Sequence, residues 1–133
     1  MGGRGAYFSG KSKNYDLREF DTVSFARNGM IKVLKKRDGV KNLHFPIYSN
    51  TPNTTYFVLD ERDNKRISAI GIYRNNRIVE SIDLTDTRGI HWHDWSTSYD
   101  KKGREFQLKS ISDDFNLKNT HKRFLKYAKE WES

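Results

Sequence analysis

The sequence predicts an α+β domain: a small antiparallel sheet of about four to six strands, with an N-terminal helix and a C-terminal amphipathic helix. Three observations carry this. Runs rich in Ile, Val, Tyr and Phe alternate with turn residues through the second half; the last stretch has helical apolar spacing; and Leu17, Phe20, Val23 and Phe25 approximate a helical stripe near the start. Residues 1–13 carry four glycines, two serines and three basic residues. Glycine loses the most entropy on ordering, so a flexible basic arm is expected there, followed by a single domain over 14–133. Tyr15 to Arg27 predicts a short helix stopped by Asn28-Gly29. Met30 to Leu34 reads as a strand, followed by Lys35-Lys36-Arg37 and an Asp38-Gly39 turn. Residues 42–53, with both prolines, read as a loop. Thr55 to Leu59 is a strand ended by the charged stretch 60–64. Ile67 to Tyr73 and Arg77 to Leu84 are two more, separated by Arg74-Asn75-Asn76; Asn tolerates left-handed backbone angles, which suits a hairpin. Ile90 to Trp95 is a further strand, and a polar loop over 96–103 leads to Arg104–Leu108. Asn116 to Trp131 closes the chain as a helix with Phe124, Leu125, Ala128 and Trp131 on one stripe.

Composition narrows the function. Lys+Arg 25 against Asp+Glu 17 gives a net charge of +8, which favours a polyanionic partner, RNA first among them. The mean hydropathy of -0.92 is low, but 14% aromatic residues argue against disorder. The absence of cysteine excludes disulfide scaffolds, thiolate zinc sites, iron–sulfur clusters and cysteine nucleophiles, and fits a reducing cytosol. No apolar run approaches the roughly 18 residues of a membrane helix. The start, Met1-Gly2-Gly3-Arg4-Gly5-Ala6, lacks the apolar core of a signal peptide. A cytoplasmic protein without a membrane partner is expected; its oligomeric state is not encoded in any motif.

The stretch Ile90-His91-Trp92-His93-Asp94-Trp95 carries the most chemistry. On a strand, His91 and His93 project from one face and Trp92 and Asp94 from the other. Two imidazoles side by side support general acid–base work, because their protonation changes near neutral pH. They also start a metal site if a third ligand joins them, for which Asp83 and His121 are the choices. A half-exposed strand with solvated histidines is the plain alternative. Arg88, before the pair, and Arg104, after Gly103, offer guanidinium groups to phosphate oxygens, although Asp86 and Glu105 stand beside them as ion-pair partners. Asp113-Asp114 reads as a turn or helix start. Lys32, Lys35, Lys36, Arg37 and Lys41 could follow a phosphate backbone, and Tyr73, Trp92, Trp95 and Tyr99 could stack on bases.

Taken in order, Ile67-Ser68-Ala69-Ile70-Gly71-Ile72-Tyr73, Arg77, Ser81-Ile82-Asp83-Leu84, His91-x-His93-x-Trp95 and Gly103-Arg104 resemble a group of small phage and mobile-element domains. These are similar to the phage-associated branch of the barnase–EndoU–colicin–RelE nuclease superfamily, which also supplies polymorphic-toxin tips. The resemblance spans about residues 65–130. It implies a small antiparallel sheet after N-terminal helices and metal-independent cleavage of RNA with no cofactor. His91 and His93 would be the acid and base, Arg104 the phosphate clamp and Asp83 the orienting carboxylate. Arg88, Tyr73, Trp95, Lys35, Lys36 and Arg37 would hold substrate. A cognate inhibitor, a phage or host protein, or a virion would be the further partners. Two alternatives stand beside it: a non-catalytic nucleic-acid-binding or phage regulatory protein, and a virion accessory or protein-interaction component. The chain departs from the group's pattern at Thr85-Asp86, where a histidine is common.

Overall fold

The computed structural model describes residues 19–39, 46, 48, 49 and 51–133. The basic arm, Leu17 and Lys41 lie outside the described residues. Seven strands form one sheet in chain order: β1 (Phe20–Ala26), β2 (Ile31–Lys36), β3 (Thr55–Asp60), β4 (Asp63–Arg74), β5 (Arg77–Asp83), β6 (His91–Tyr99) and β7 (Glu105–Lys109), followed by the helix α1 (Asn119–Glu132). Neighbours pair antiparallel except β2 and β3, which run parallel.

This corrects the sequence expectation. The sheet has seven strands, more than the about four to six expected, and no helix precedes it among the described residues. The segment expected to be helical is β1 from Phe20 onward. Thr22, Val23 and Phe25 favour extended backbone. Their alternation is disguised because β1 pairs Thr22 with Leu34 and then Ser24 with Val33, leaving Val23 as a bulge. One inserted residue turns a period of two into a spacing that mimics a helix. Asn28-Gly29 does punctuate the chain, but as a hairpin: Arg27, Asn28 and Gly29 hold φ of 51°, 57° and 87°. The Ser96–Gly103 loop contracts likewise, since β6 runs on to Tyr99. The turn beyond it is held by the Asp100 carboxylate, which accepts from the Lys102 and Arg104 amides at 2.8 and 2.9 Å.

The sheet buries apolar side chains on both faces. On one, α1 lays Phe124, Leu125, Ala128 and Trp131 against Ile31, Val33, Phe57, Ile70, Ile82 and Trp92. The opposite face gathers Phe20, Leu34, Tyr48, Tyr56, Val58, Ala69, Tyr73, Ile78 and Trp95. Register carries that second face into the site. Leu34 pairs with Val58, Val58 with Ala69, Ala69 with Asp83, and Asp83 with His91. Directly paired residues share a face, so an apolar row ends in Asp83 and His91.

Candidate functional site

β6 alternates as expected at its start: Trp92 enters the core under α1, while His91 and His93 leave from the other face. Asp83 sits opposite His91 at the end of β5. The fourth member is Asp113, which by sequence alone belongs to a turn. After β7 the chain keeps to the edge of β6. Trp92 and Asp114 exchange both backbone hydrogen bonds, at 2.9 and 3.1 Å, and the Trp92 indole donates to the Asn116 carbonyl. That two-sided bridge turns the neighbouring Asp113 side chain onto the histidine face.

The four side chains meet at close range. His91 Nε2 lies 3.2 Å from Asp83 Oδ2 and 3.3 Å from Asp113 Oδ1; His93 Nε2 lies 3.1 Å from Asp113 Oδ1 and 3.8 Å from Asp83 Oδ2. The imidazole rings stand edge to face, 5.1 Å apart. Each ring is fixed from behind, with His91 Nδ1 3.1 Å from the Gly89 carbonyl and His93 Nδ1 3.0 Å from that of Ser110. A carbonyl only accepts, so both Nδ1 atoms carry hydrogen and both Nε2 atoms face the carboxylates. The His91 and His93 side chains are 2% and 5% exposed, whereas Asp83 and Asp113 are 27% and 20% exposed. Solvent therefore reaches the centre through the carboxylates. Asp83, His91 and His93 form a donor group able to hold a metal ion.

Arg88 borders the opening. Its guanidinium binds Asp86 (Nη2 to Oδ2, 2.6 Å) and also Asp113 Oδ2. Hydrogen bonds from the Arg88 side chain and amide hold the Asp86 carboxyl at about 2. Burial, then the charge of Lys109, push the His93 imidazole below its usual value, against the pull of Asp83, the Ser110 carbonyl and Asp113. Phe115 leans on His91 with ring centres 5.3 Å apart.

The other expected residues are spread out. Arg104 belongs to the far end of β6, where Tyr99 pairs with Glu105, and its Nε binds Asp100 at 2.8 Å. Tyr99 stands six residues beyond His93, about 20 Å at roughly 3.3 Å per residue. Tyr73 and Trp95 are buried in the second core, the Tyr73 hydroxyl donating to the Pro46 carbonyl and the Trp95 indole to Ser81 Oγ. Lys36 pairs with Glu61, Arg37 with Asp21, and Lys35 is exposed at the end of β2. His121 joins a separate cluster with Glu80 and Lys118.

A groove of about 220 Å³ is lined by Lys36, Val58, Leu59, Asp60, Glu61, Arg62, Ser68 and Thr85, and by none of the four side chains of the centre. Among the described residues, no helix is long and apolar enough to cross a membrane. Comparisons with protein-family models, curated proteins and solved structures find no match to this chain.

Proposed function

We propose that this protein acts on RNA as a small phosphodiester-cleaving domain, with the His91, His93, Asp83 and Asp113 cluster as its reactive centre. The observation that carries the reading is the convergence of two imidazoles and two carboxylates on one partly open point, bordered by Arg88, in a chain of net charge +8. The order of motifs resembling phage and mobile-element nucleases supports it. RNA brings its own nucleophile. The 2′-oxygen loses a proton and bonds to phosphorus, the phosphorus–5′-oxygen bond breaks, and the 5′-oxygen gains a proton. Imidazole–carboxylate pairs take and return those protons near neutral pH. Arg88, nearer than Arg104, offsets the added phosphate charge. On this reading the protein works in the cytoplasm of a cell carrying the phage or element, where a cognate inhibitor or a virion would be its protein partner.

Purified protein incubated with total RNA tests this, beside His91→Ala/His93→Ala and Asp113→Asn. Cleavage falling by at least about 100-fold in both variants supports the reading. Equal turnover in all three, or none in the parent, overturns it. Salt-sensitive RNA binding without cleavage would instead establish the non-catalytic role.

A further inference from the structure

We propose that His91, His93, Asp83 and Asp113 hold one divalent transition-metal ion, zinc or a close relative, in a four-coordinate site. The inference goes beyond the RNA reading, because it concerns what the four side chains bind whichever substrate meets them.

The hydrogen-bond pattern is its first support. With both Nδ1–H groups given to the carbonyls of Gly89 and Ser110, each imidazole turns its Nε2 toward carboxylate oxygens at 3.1–3.8 Å. Two ring nitrogens and two carboxylates so placed offer four donor atoms to one cation, which would take the position of a proton on either Nε2. The same carbonyls would act as the outer partners that fix tautomer and ring orientation in metal-binding histidines. Gly89 reaches this position with φ at 122°, a backbone conformation that other residues rarely adopt.

The spacing is the second. A tetrahedral ion with bonds of about 2.0–2.1 Å sets its ligand atoms about 3.3–3.4 Å apart. The four nitrogen–oxygen separations, at 3.2, 3.3, 3.1 and 3.8 Å, bracket that edge. Asp83, His91 and His93 already hold their donor atoms within 4.8 Å of one another, and Asp113, close to both histidines, must close toward Asp83 to complete the set. The donor set is the third support. Two imidazoles with two carboxylates suit zinc and its neighbours, whereas magnesium and calcium favour all-oxygen shells of six or more ligands. Asp113 is already oriented as a ligand, because Arg88 takes Oδ2 and leaves Oδ1 facing both histidines.

The test uses untagged full-length protein and no RNA. After purification without chelator, elemental analysis should find about one equivalent of zinc per chain. Protein stripped with EDTA should regain it, with a melting temperature higher by at least about 5 °C. Co2+ should give the visible absorption of a four-coordinate ion. His93→Ala and Asp113→Asn should bind at least about 100-fold more weakly, while Asp94→Asn, changed at an exposed position on the same strand, should match the parent. Asp113→Asn keeps side-chain volume and decides the matter if His93→Ala fails to fold. Zinc below a tenth of an equivalent with no melting shift, or an equal response in Asp113→Asn, overturns the proposal. The RNA assay fails or succeeds separately, because metal content and melting temperature are read without RNA.

Discussion

Two places in this molecule set a buried imidazole against a carboxylate, and they differ in what the far ring nitrogen does. At the start of α1, His121 is fully buried, and its Nδ1 accepts the Lys118 amide at 3.1 Å. Its other nitrogen therefore carries hydrogen and donates to Glu80 Oε1 at 2.6 Å. Lys118 completes that cluster by reaching Glu80 Oε2 at 3.0 Å and lying over the Trp92 ring, 4.5 Å from its centre. A neutral histidine satisfies every partner there. At His91 and His93 the far nitrogen donates instead, and the near one faces Asp83 and Asp113. The first cluster is closed by Lys118; in the second, two Nε2 atoms and two carboxylates converge on one partly open point. The direction of one hydrogen bond separates the two clusters.

Breaking the complete cluster should cost most. His121→Ala removes the helix-start hydrogen bond and the ring packing 4.6 Å from Trp92, and leaves Glu80 without its imidazole. A loss of about 2–4 kcal/mol is expected in urea unfolding. A loss under about 0.5 kcal/mol would show that His121 contributes little to the docking of α1. The incomplete cluster should respond with the opposite sign. In EDTA-stripped protein, Asp83→Asn replaces a carboxylate with an amide able to donate to Nε2, so stability should hold or rise by up to about 1 kcal/mol. A fall as large as that of His121→Ala would erase the contrast. The smallest effect concerns acid. Burial acts to raise the Glu80 carboxyl, but hydrogen bonds from His121 and Lys118 outweigh it and hold the group below its ordinary 4.5. A carboxyl lowered on folding lends stability above its unfolded value and loses it as pH falls through the folded one. Unfolding followed between about pH 5 and pH 3 should therefore show a shallower acid slope in Glu80→Gln than in the parent. Equal slopes would place the acid sensitivity in other carboxylates.

Legibility followed the range of the interactions. β4 and β5 are readable because Ile, Val and Tyr alternate around Asn75, which takes φ of 55° in the turn. His91 and His93 are readable as a pair because a strand has a period of two. Asp83 joins them through the next strand, so its spacing is set by one hairpin. Asp113 reaches the site through a bridge to Trp92 beyond the end of β7, and no local period records such a bridge. β1 hid behind its bulge. Arg88 and Arg104 look equivalent in sequence, yet the length of β6 puts them at opposite ends.

The single parallel contact in the sheet bears on how the chain folds. From Thr55 to Lys109 each strand pairs with its successor across a short connection, so closing each loop costs little entropy. The β1–β2 hairpin joins β3 only after the chain has returned through residues 37–54. The β1–β2 hairpin and the β3–β7 meander each close through short connections, and the parallel β2–β3 contact between them has the larger sequence separation. All four members of the centre lie between residues 83 and 113. The candidate centre therefore lies wholly within the meander, and the N-terminal hairpin reaches it only through the core residues Phe20, Ile31, Val33 and Leu34.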